Sequence, residues 1–117
     1  MKKVIALFLV VTVFVSLLLG SYVVKVEAKT VKVTKVTLNH KDVYLYPASL
    51  TYKLKATVYP KNATNKKVVW YSSNKKIATV SSTGLVTFKT IGTITITVKT
   101  KDGNKTAKCR INMWRAD

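Results

Sequence analysis

Residues 56–92 read ATVYPKNATNKKVVWYSSNKKIATVSSTGLVTFKTIG, and this stretch decides the fold class. Short runs that alternate apolar and polar residues are separated by polar turn signals at regular intervals. A period of two is typical of strands that bury one face. Several short strands separated by turns every ~8–12 residues indicate an all-β sandwich or barrel. Trp70 lies in the middle of one apolar run, so we predict that it belongs to the core.

The same pattern continues on both sides of this stretch. Residues 50–59 predict a single strand that ends at Pro60, because proline cannot donate to a β-ladder. Residues 93–100 and 105–113 alternate on either side of Asp102-Gly103, a dipeptide that favours a tight hairpin turn.

The region that precedes residue 50 is less regular. Residues 42–46 predict a short strand that ends at Pro47, and residues 31–33 alternate out of phase with residues 36–38, which indicates a bulge near Thr34. No connection along the chain is long enough to hold a crossover helix. We therefore predict an all-β sandwich or barrel of about seven antiparallel strands.

The first 28 residues predict a targeting segment. Lys2 and Lys3 precede a run of apolar residues, and cleavage is expected after Ala28, as in a secretory signal peptide. The alternative is an uncleaved membrane anchor, because about 20 apolar residues can span a bilayer. In either case residues 29–117 are expected to be exported as one domain, either secreted or associated with the cell envelope, with a single core.

Cys109 is the only cysteine, so the chain cannot form an internal disulfide. It lies in an alternating run and shares a face with Ile111 and Met113, which predicts a buried apolar thiol. A reactive thiol activated by Lys108 and Arg110 is the alternative. Those basic side chains should point to the opposite face, which argues against activation.

Nine short motifs, in order, resemble one known family, the bacterial immunoglobulin-like domain of group 2. They are residues 36–38 (VTL), 54–60 (LKATVYP), 62–66 (NATNK), 68–74 (VVWYSSN), 77–80 (IATV), 84–87 (GLVT), 92–97 (GTITIT), 102–103 (DG) and 107–109 (AKC). The resemblance covers residues 33–113, with residues 47–49 (PAS) in place of a glycine-containing turn. It implies an immunoglobulin-like sandwich with a structural or adhesive role and no catalytic residues or cofactor.

Residues that carry chemistry are scarce. The part after residue 28 has one histidine, His40, and three acids, Asp42, Asp102 and Asp117. A serine–histidine–aspartate set built on His40 and Asp42 would place both in a turn with no strand-to-helix elbow for a nucleophile. One histidine, one cysteine and separated aspartates do not form a metal-ligand set. We therefore predict that the protein is not an enzyme and has no catalytic, cofactor or metal site.

The charge is strongly positive. The chain carries a net +17, of which +15 remains after residue 28. The lysines are spread over many segments, and their charge can simply keep a β-rich protein soluble and oppose edge-to-edge aggregation. The alternative is a basic surface that holds an anionic cell-wall polymer, a polysaccharide or a surface protein. The candidate residues for that surface are Lys66, Lys67, Lys99, Lys108 and Arg110.

Two other partners are disfavoured. Nucleic acid is not expected as a partner because aromatic residues are not interleaved with the basic ones, and a membrane contact is expected only through residues 1–28 if they stay uncleaved. Tyrosines 44, 46, 59 and 71 are predicted at strand ends or outward positions, and Trp114 is either packed on the core or exposed. We predict a monomeric, non-enzymatic surface or envelope module; the alternative is a small secreted protein that binds a soluble carbohydrate or protein ligand.

Overall fold

The computed structural model describes residues 29–46 and 50–115, and their regular structure is entirely β. Nine strands follow in chain order: β1 (Lys35–Leu38), β2 (Asp42–Leu45), β3 (Thr51–Lys53), β4 (Ala56–Tyr59), β5 (Val68–Ser72), β6 (Ala78–Val80), β7 (Leu85–Phe88), β8 (Gly92–Thr100) and β9 (Thr106–Met113). The described part contains no helix long and apolar enough to span a membrane. The signal peptide or anchor predicted over 1–28 lies outside the described residues, as does the 47–49 turn.

The strands form two facing layers. One layer is a four-stranded sheet in the order β2-β9-β8-β5. The other consists of the three-stranded sheet β3-β7-β6 and the pair β1-β4. Apolar side chains from both layers meet between them and exclude water, which supplies the main driving force for folding. The buried cluster comprises Val43, Leu54, Ala78, Val86, Phe88, Ile94, Ile96, Cys109, Ile111 and Met113. Trp70 packs against this cluster, which confirms its predicted place in the core.

The longest hairpin joins β8 and β9, as the sequence predicts. Its register pairs Ile96 with Cys109 and Ile94 with Ile111, so both strands bury the same alternate positions. The connection differs in detail from a two-residue turn. Positive φ values fall on Gly103 (80°) and Asn104 (52°), and the Thr100 N–H donates to the Lys105 carbonyl oxygen at 2.8 Å. The loop therefore has four residues, and glycine and asparagine take the left-handed positions that they tolerate best.

The prediction that all strands are antiparallel is wrong for one pair. β2 runs parallel to β9, with Asp42 beside Arg110 and Leu45 beside Met113. Parallel strands need a long connection, and none lies between neighbouring segments of the sequence. Here the connection is the remainder of the sandwich, residues 46–105, so a crossover helix is unnecessary.

The single strand predicted over residues 50–59 is also wrong. It is divided into β3, which pairs with β7, and β4, which pairs with β1. Leu54, at the break, is fully buried, and its N–H donates to the Gly84 carbonyl oxygen at 2.9 Å. Lys55 N–H donates to the Asn39 side chain at 2.9 Å. Backbone groups at the break are thus paired although the ladder changes partner, and the division raises the strand count above seven.

The segment before β1 is not part of a strand. The Val33 N–H donates to Asp102 Oδ2 at 3.0 Å, the Val31 N–H donates to Thr64 Oγ1 at 2.7 Å, and the Thr34 N–H donates to the Tyr59 carbonyl oxygen at 2.7 Å. Val33 is buried. Instead of a bulged strand over 31–38, the structure shows a strand that begins at Lys35, preceded by a segment held by two loops and by the end of β4.

Candidate binding face on the four-stranded sheet

Alternation along β8 and β9 gives the four-stranded sheet two different faces. Ile94, Ile96 and Val98 point into the core, so the residues between them point to solvent. The same inward and outward alternation applies to β2, β5 and β9, because residues paired across neighbouring strands point to the same face of the sheet. We call the solvent side the outer sheet face. It carries Asp42 and Tyr44 (β2), Lys108, Arg110 and Asn112 (β9), Thr93, Thr95, Thr97 and Lys99 (β8), and Val69 and Tyr71 (β5).

Three of the five predicted binding residues lie together on this face. Lys108 pairs with Thr97, Arg110 pairs with Thr95, and Lys99 pairs with Thr106 in the next row. Residues two apart on a strand are separated by about 7 Å, and neighbouring strands by about 4.8 Å. The three cations are therefore close neighbours separated by short threonine side chains, which leave them accessible.

The other two predicted residues lie at the margin of the face. Lys66 and Lys67 are exposed and immediately precede β5. The Lys101 N–H donates to the Lys67 carbonyl oxygen at 2.9 Å, which brings Lys67 beside the end of β8. Lys101, which sequence reasoning missed, joins the set. An open groove of about 310 Å³ runs there, lined by Val69, Tyr71, Lys99, Thr100, Lys101 and Asn104.

Negative charge on the outer sheet face is sparse. Asp42 is the one carboxylate there among the described residues, and it stands beside Arg110. Asp102, just after β8, is turned toward Val33 and accepts a hydrogen bond from the Val33 N–H. The face therefore keeps a net positive charge, which is the electrostatic property that an anionic partner requires.

The opposite end of the same face is aromatic. Tyr46 and Trp114 follow β2 and β9, and their ring centroids are 5.2 Å apart with an interplanar angle of 45°. The Trp114 N–H donates to the Leu45 carbonyl oxygen at 3.2 Å, which extends the parallel ladder by one step. Tyr44 is 69% exposed and Trp114 is 42% exposed. The sequence left the position of Trp114 open, and the structure places it at the surface.

The residues considered for catalysis are not brought together. His40 makes an edge-on contact with Tyr52, with ring centroids 6.0 Å apart, whereas Asp42 lies in the ladder beside Arg110. Within residues 29–46 and 50–115, no three histidine, cysteine or acidic side chains form a possible metal site. Cys109 is fully buried, and burial, followed by the nearby negative charge of Asp42, raises the pKa of its thiol to about 11. A protonated, enclosed thiol is a poor nucleophile.

The chain belongs to the family described as bacterial Ig-like domain (group 2), which matches residues 25–111. This confirms the resemblance read from the sequence motifs. The immunoglobulin-like sandwich expected from that family is also the observed fold, apart from the two departures described above.

Two curated relatives illustrate where such domains occur. An Ig-like virion protein of Serratia phage KSP90 is 42% identical over 96 residues, which covers 81% of this chain and 37% of that protein. A kappa-carrageenase of Pseudoalteromonas carrageenovora is 57% identical over 58 residues, which covers 50% of this chain and 15% of the enzyme. The chain thus spans well under half of the length of either relative.

Solved structures show the same fold. Domains 4 and 5 of the S-layer protein SbsC match with a TM-score of 0.53 and 25% identity, covering 77% of this chain and 56% of that one. An intimin mutant of EHEC O157:H7 matches with a TM-score of 0.51 and 23% identity, covering 69% and 49%. The second likeness shows the fold alone.

Proposed function

We propose that this protein is a non-enzymatic, exported module of the cell surface or envelope that holds an anionic polymer on its outer sheet face. The observation that carries this proposal is the placement of Lys99, Lys108 and Arg110 in successive rows of one solvent-exposed sheet. Lysines dispersed only for solubility need not share a face. The threonines between them add hydroxyl donors and acceptors and little apolar surface.

The relatives support the surface location. The S-layer protein that shares the fold and the virion protein that shares the sequence pattern are, by name, proteins of a surface layer and of a virus particle. The predicted signal peptide or anchor in residues 1–28 agrees with the same location.

An anionic polymer suits this face better than a small ligand does. The four-stranded sheet presents an open, shallow surface, and the grooves on it are not enclosed cavities of the kind that surround small molecules. A chain with repeated negative charge can contact several rows at once. Each exposed ion pair contributes only about 0.2–1 kcal/mol, so several must act together to give useful affinity.

A matched pair of variants tests the proposal. The face variant carries Lys99→Gln, Lys108→Gln and Arg110→Gln, and the control variant carries Lys55→Gln, Lys61→Gln and Lys76→Gln, which removes the same charge from exposed positions outside the outer sheet face. Binding of each purified protein to isolated cell envelopes and to polygalacturonate is measured across a salt series.

We expect the face variant to bind about tenfold more weakly, the control variant to stay within twofold of the unaltered protein, and salt to weaken all three. Equal losses in the two variants would show that the charge acts only as a diffuse field. An affinity that changes neither with salt nor with the substitutions would favour the alternative, a specific ligand held by uncharged contacts.

A further inference from the structure

The aromatic end of the outer sheet face has features that charge alone does not explain. Tyr46 is 56% exposed and Trp114 is 42% exposed, and their rings stand against each other at the end of the parallel pair β2–β9. Leu50 and Ile91 are exposed nearby, at 60% and 45%. Contiguous exposed apolar surface of this kind marks an interaction site more often than scattered single residues do.

An open cleft of about 670 Å³ lies beside Trp114. It is lined by Ile91, Gly92, Asn112, Met113, Trp114 and Arg115. An adjoining cleft of about 210 Å³ shares Arg115 and adds Lys89. Neither lining includes a carboxylate.

Asn112 lines the cleft and has hydrogen-bond donors to offer a ligand. Its Oδ1 accepts a hydrogen bond from the Thr93 hydroxyl at 3.0 Å. The oxygen side of the amide is therefore occupied within the sheet, and the two N–H donors of the same amide remain for a ligand. Arg115 adds a guanidinium, which recognises carboxylate or sulfate groups through paired N–H donors.

These groups together fit one chemistry. An aromatic ring stacks against the apolar C–H face of a sugar ring, amide N–H groups donate to its hydroxyls, and a guanidinium pairs with an acidic substituent. We propose that the cleft beside Trp114, whose ring packs against Tyr46, binds one ring of an acidic saccharide chain, and that the chain continues along the rows of Arg110, Lys108 and Lys99.

The inference rests on the proposed function, because it assigns the anionic polymer to a class. The two parts of the surface are continuous. Along β9, Trp114 and Lys108 share a face and are about 20 Å apart at the strand rise of about 3.3 Å per residue. The basic rows supply attraction for any polyanion, whereas the aromatic end supplies selectivity for sugar rings.

The test compares two probes that share negative charge but not sugar rings, polygalacturonate and poly-glutamate. The variants are Trp114→Ala, Tyr46→Ala and the conservative Trp114→Phe. We expect Trp114→Ala to weaken polygalacturonate binding about tenfold and to leave poly-glutamate binding within twofold, with Trp114→Phe close to the unaltered protein. Tyr46→Ala should resemble Trp114→Ala with a smaller loss. Equal effects on both probes, or no effect on either, would overturn the inference.

A short probe separates this inference from the proposed function. Tetragalacturonate, followed by tryptophan fluorescence, reports on the aromatic end, and the Trp114→Ala protein serves as the blank because Trp70 remains in it. A fluorescence change that occurs in the unaltered protein and not in Trp114→Ala supports the aromatic site, even if long polyanions do not bind to Lys99, Lys108 and Arg110. No change at millimolar tetragalacturonate would overturn the site even if long polyanions bind. Sedimentation of both proteins provides a further check, because a dimer that dissociates on Trp114→Ala would assign the cleft to a second copy instead.

Discussion

Gly84 lies directly against the indole of Trp70. A β-carbon at position 84 would stand 2.9 Å from Trp70 Cζ2 and 2.6 Å from the Leu54 carbonyl oxygen. The φ angle of Gly84 is +88°, in the left-handed region that other residues avoid. The Gly84 carbonyl oxygen also accepts a hydrogen bond from the Leu54 N–H, which lies between β3 and β4. Gly84 therefore cannot shift without breaking that hydrogen bond. The turn before β7 therefore packs against the indole of Trp70 at this glycine.

Gly84→Ala is therefore expected to lower the free energy of unfolding by about 2–4 kcal/mol, because backbone strain and a steric clash act together. Gly103→Ala is the matched control. Its φ is +80°, but a β-carbon there would meet its nearest neighbour, the Val33 carbonyl oxygen, at 3.3 Å. Urea unfolding followed by circular dichroism measures both. Similar losses in the two variants would show that φ alone sets the cost and that the contact with Trp70 is unimportant.

Thr100 is the one described polar residue that is fully buried. Its hydroxyl donates to the Asp102 carbonyl oxygen at 2.7 Å and accepts from the Lys105 N–H at 2.9 Å, so one side chain holds both sides of the β8–β9 loop. Thr100→Val keeps the shape and removes both bonds. We expect the free energy of unfolding to fall by about 1–3 kcal/mol, because two backbone groups lose their partner.

The comparison for that substitution is Thr97→Val, on the outer sheet face of the same strand. This position is only half-buried, and valine has a high β-propensity, so the free energy of unfolding should change by less than about 0.5 kcal/mol. Denaturant unfolding of the two single variants decides the question. A loss at position 97 as large as that at position 100 would count against the special role of the buried hydroxyl.

Cys109 predicts a specific dependence of stability on pH. Burial raises the pKa of its thiol to about 11, against about 9 when exposed. Below pH 9 the thiol is protonated in both the folded and the unfolded chain, and its contribution is fully present. As pH rises from about 9 to about 11, the unfolded chain loses this proton and the folded chain keeps it. The free energy of unfolding must therefore fall over that window.

Cys109→Ala isolates that effect from the titration of the lysines, because it removes the thiol and leaves every amine. The variant is expected to be less stable at neutral pH, since it leaves a cavity in the core. The difference in unfolding free energy between the two proteins should shrink as pH rises above 9. Urea midpoints measured between pH 7 and pH 11 test this, and a difference that stays constant across the range would mean that the thiol is not protected.

The strands with the strongest alternation were the ones that sequence alone located correctly. In β8, isoleucine or valine at positions 94, 96 and 98 alternates with threonine at 93, 95 and 97, so the pattern predicts both the strand and its buried side chains. The same alternation predicted the burial of Cys109 and Met113. Trp70 was assigned correctly for the same reason, as a large apolar residue in the centre of a run.

Sequence reasoning failed where backbone pairing depends on distant partners. Nothing local in residues 50–59 reveals that the ladder changes partner at Leu54, because the break is set by Gly84 and Asn39. The parallel alignment of β2 with β9 also joins segments far apart in the chain. For the surface, however, the sequence carries a usable signal. Once the turn pairs β8 with β9, the alternation of side chains places Lys99, Lys108 and Arg110 on the same face of the sheet. The aromatic pair at Tyr46 and Trp114 could not be predicted, since it depends on the parallel register.

The most direct test of the outer sheet face is a chemical-shift map. Backbone amide resonances of the isotopically labelled protein are recorded while polygalacturonate fragments are added at low salt. We expect the largest shifts at the outward positions of β8 and β9, from Lys99 and Lys108 to Asn112 and Trp114, with smaller ones on β2. Shifts concentrated near Lys55, Lys61 and Lys76, or spread evenly over all the lysines, would contradict a binding face on the four-stranded sheet.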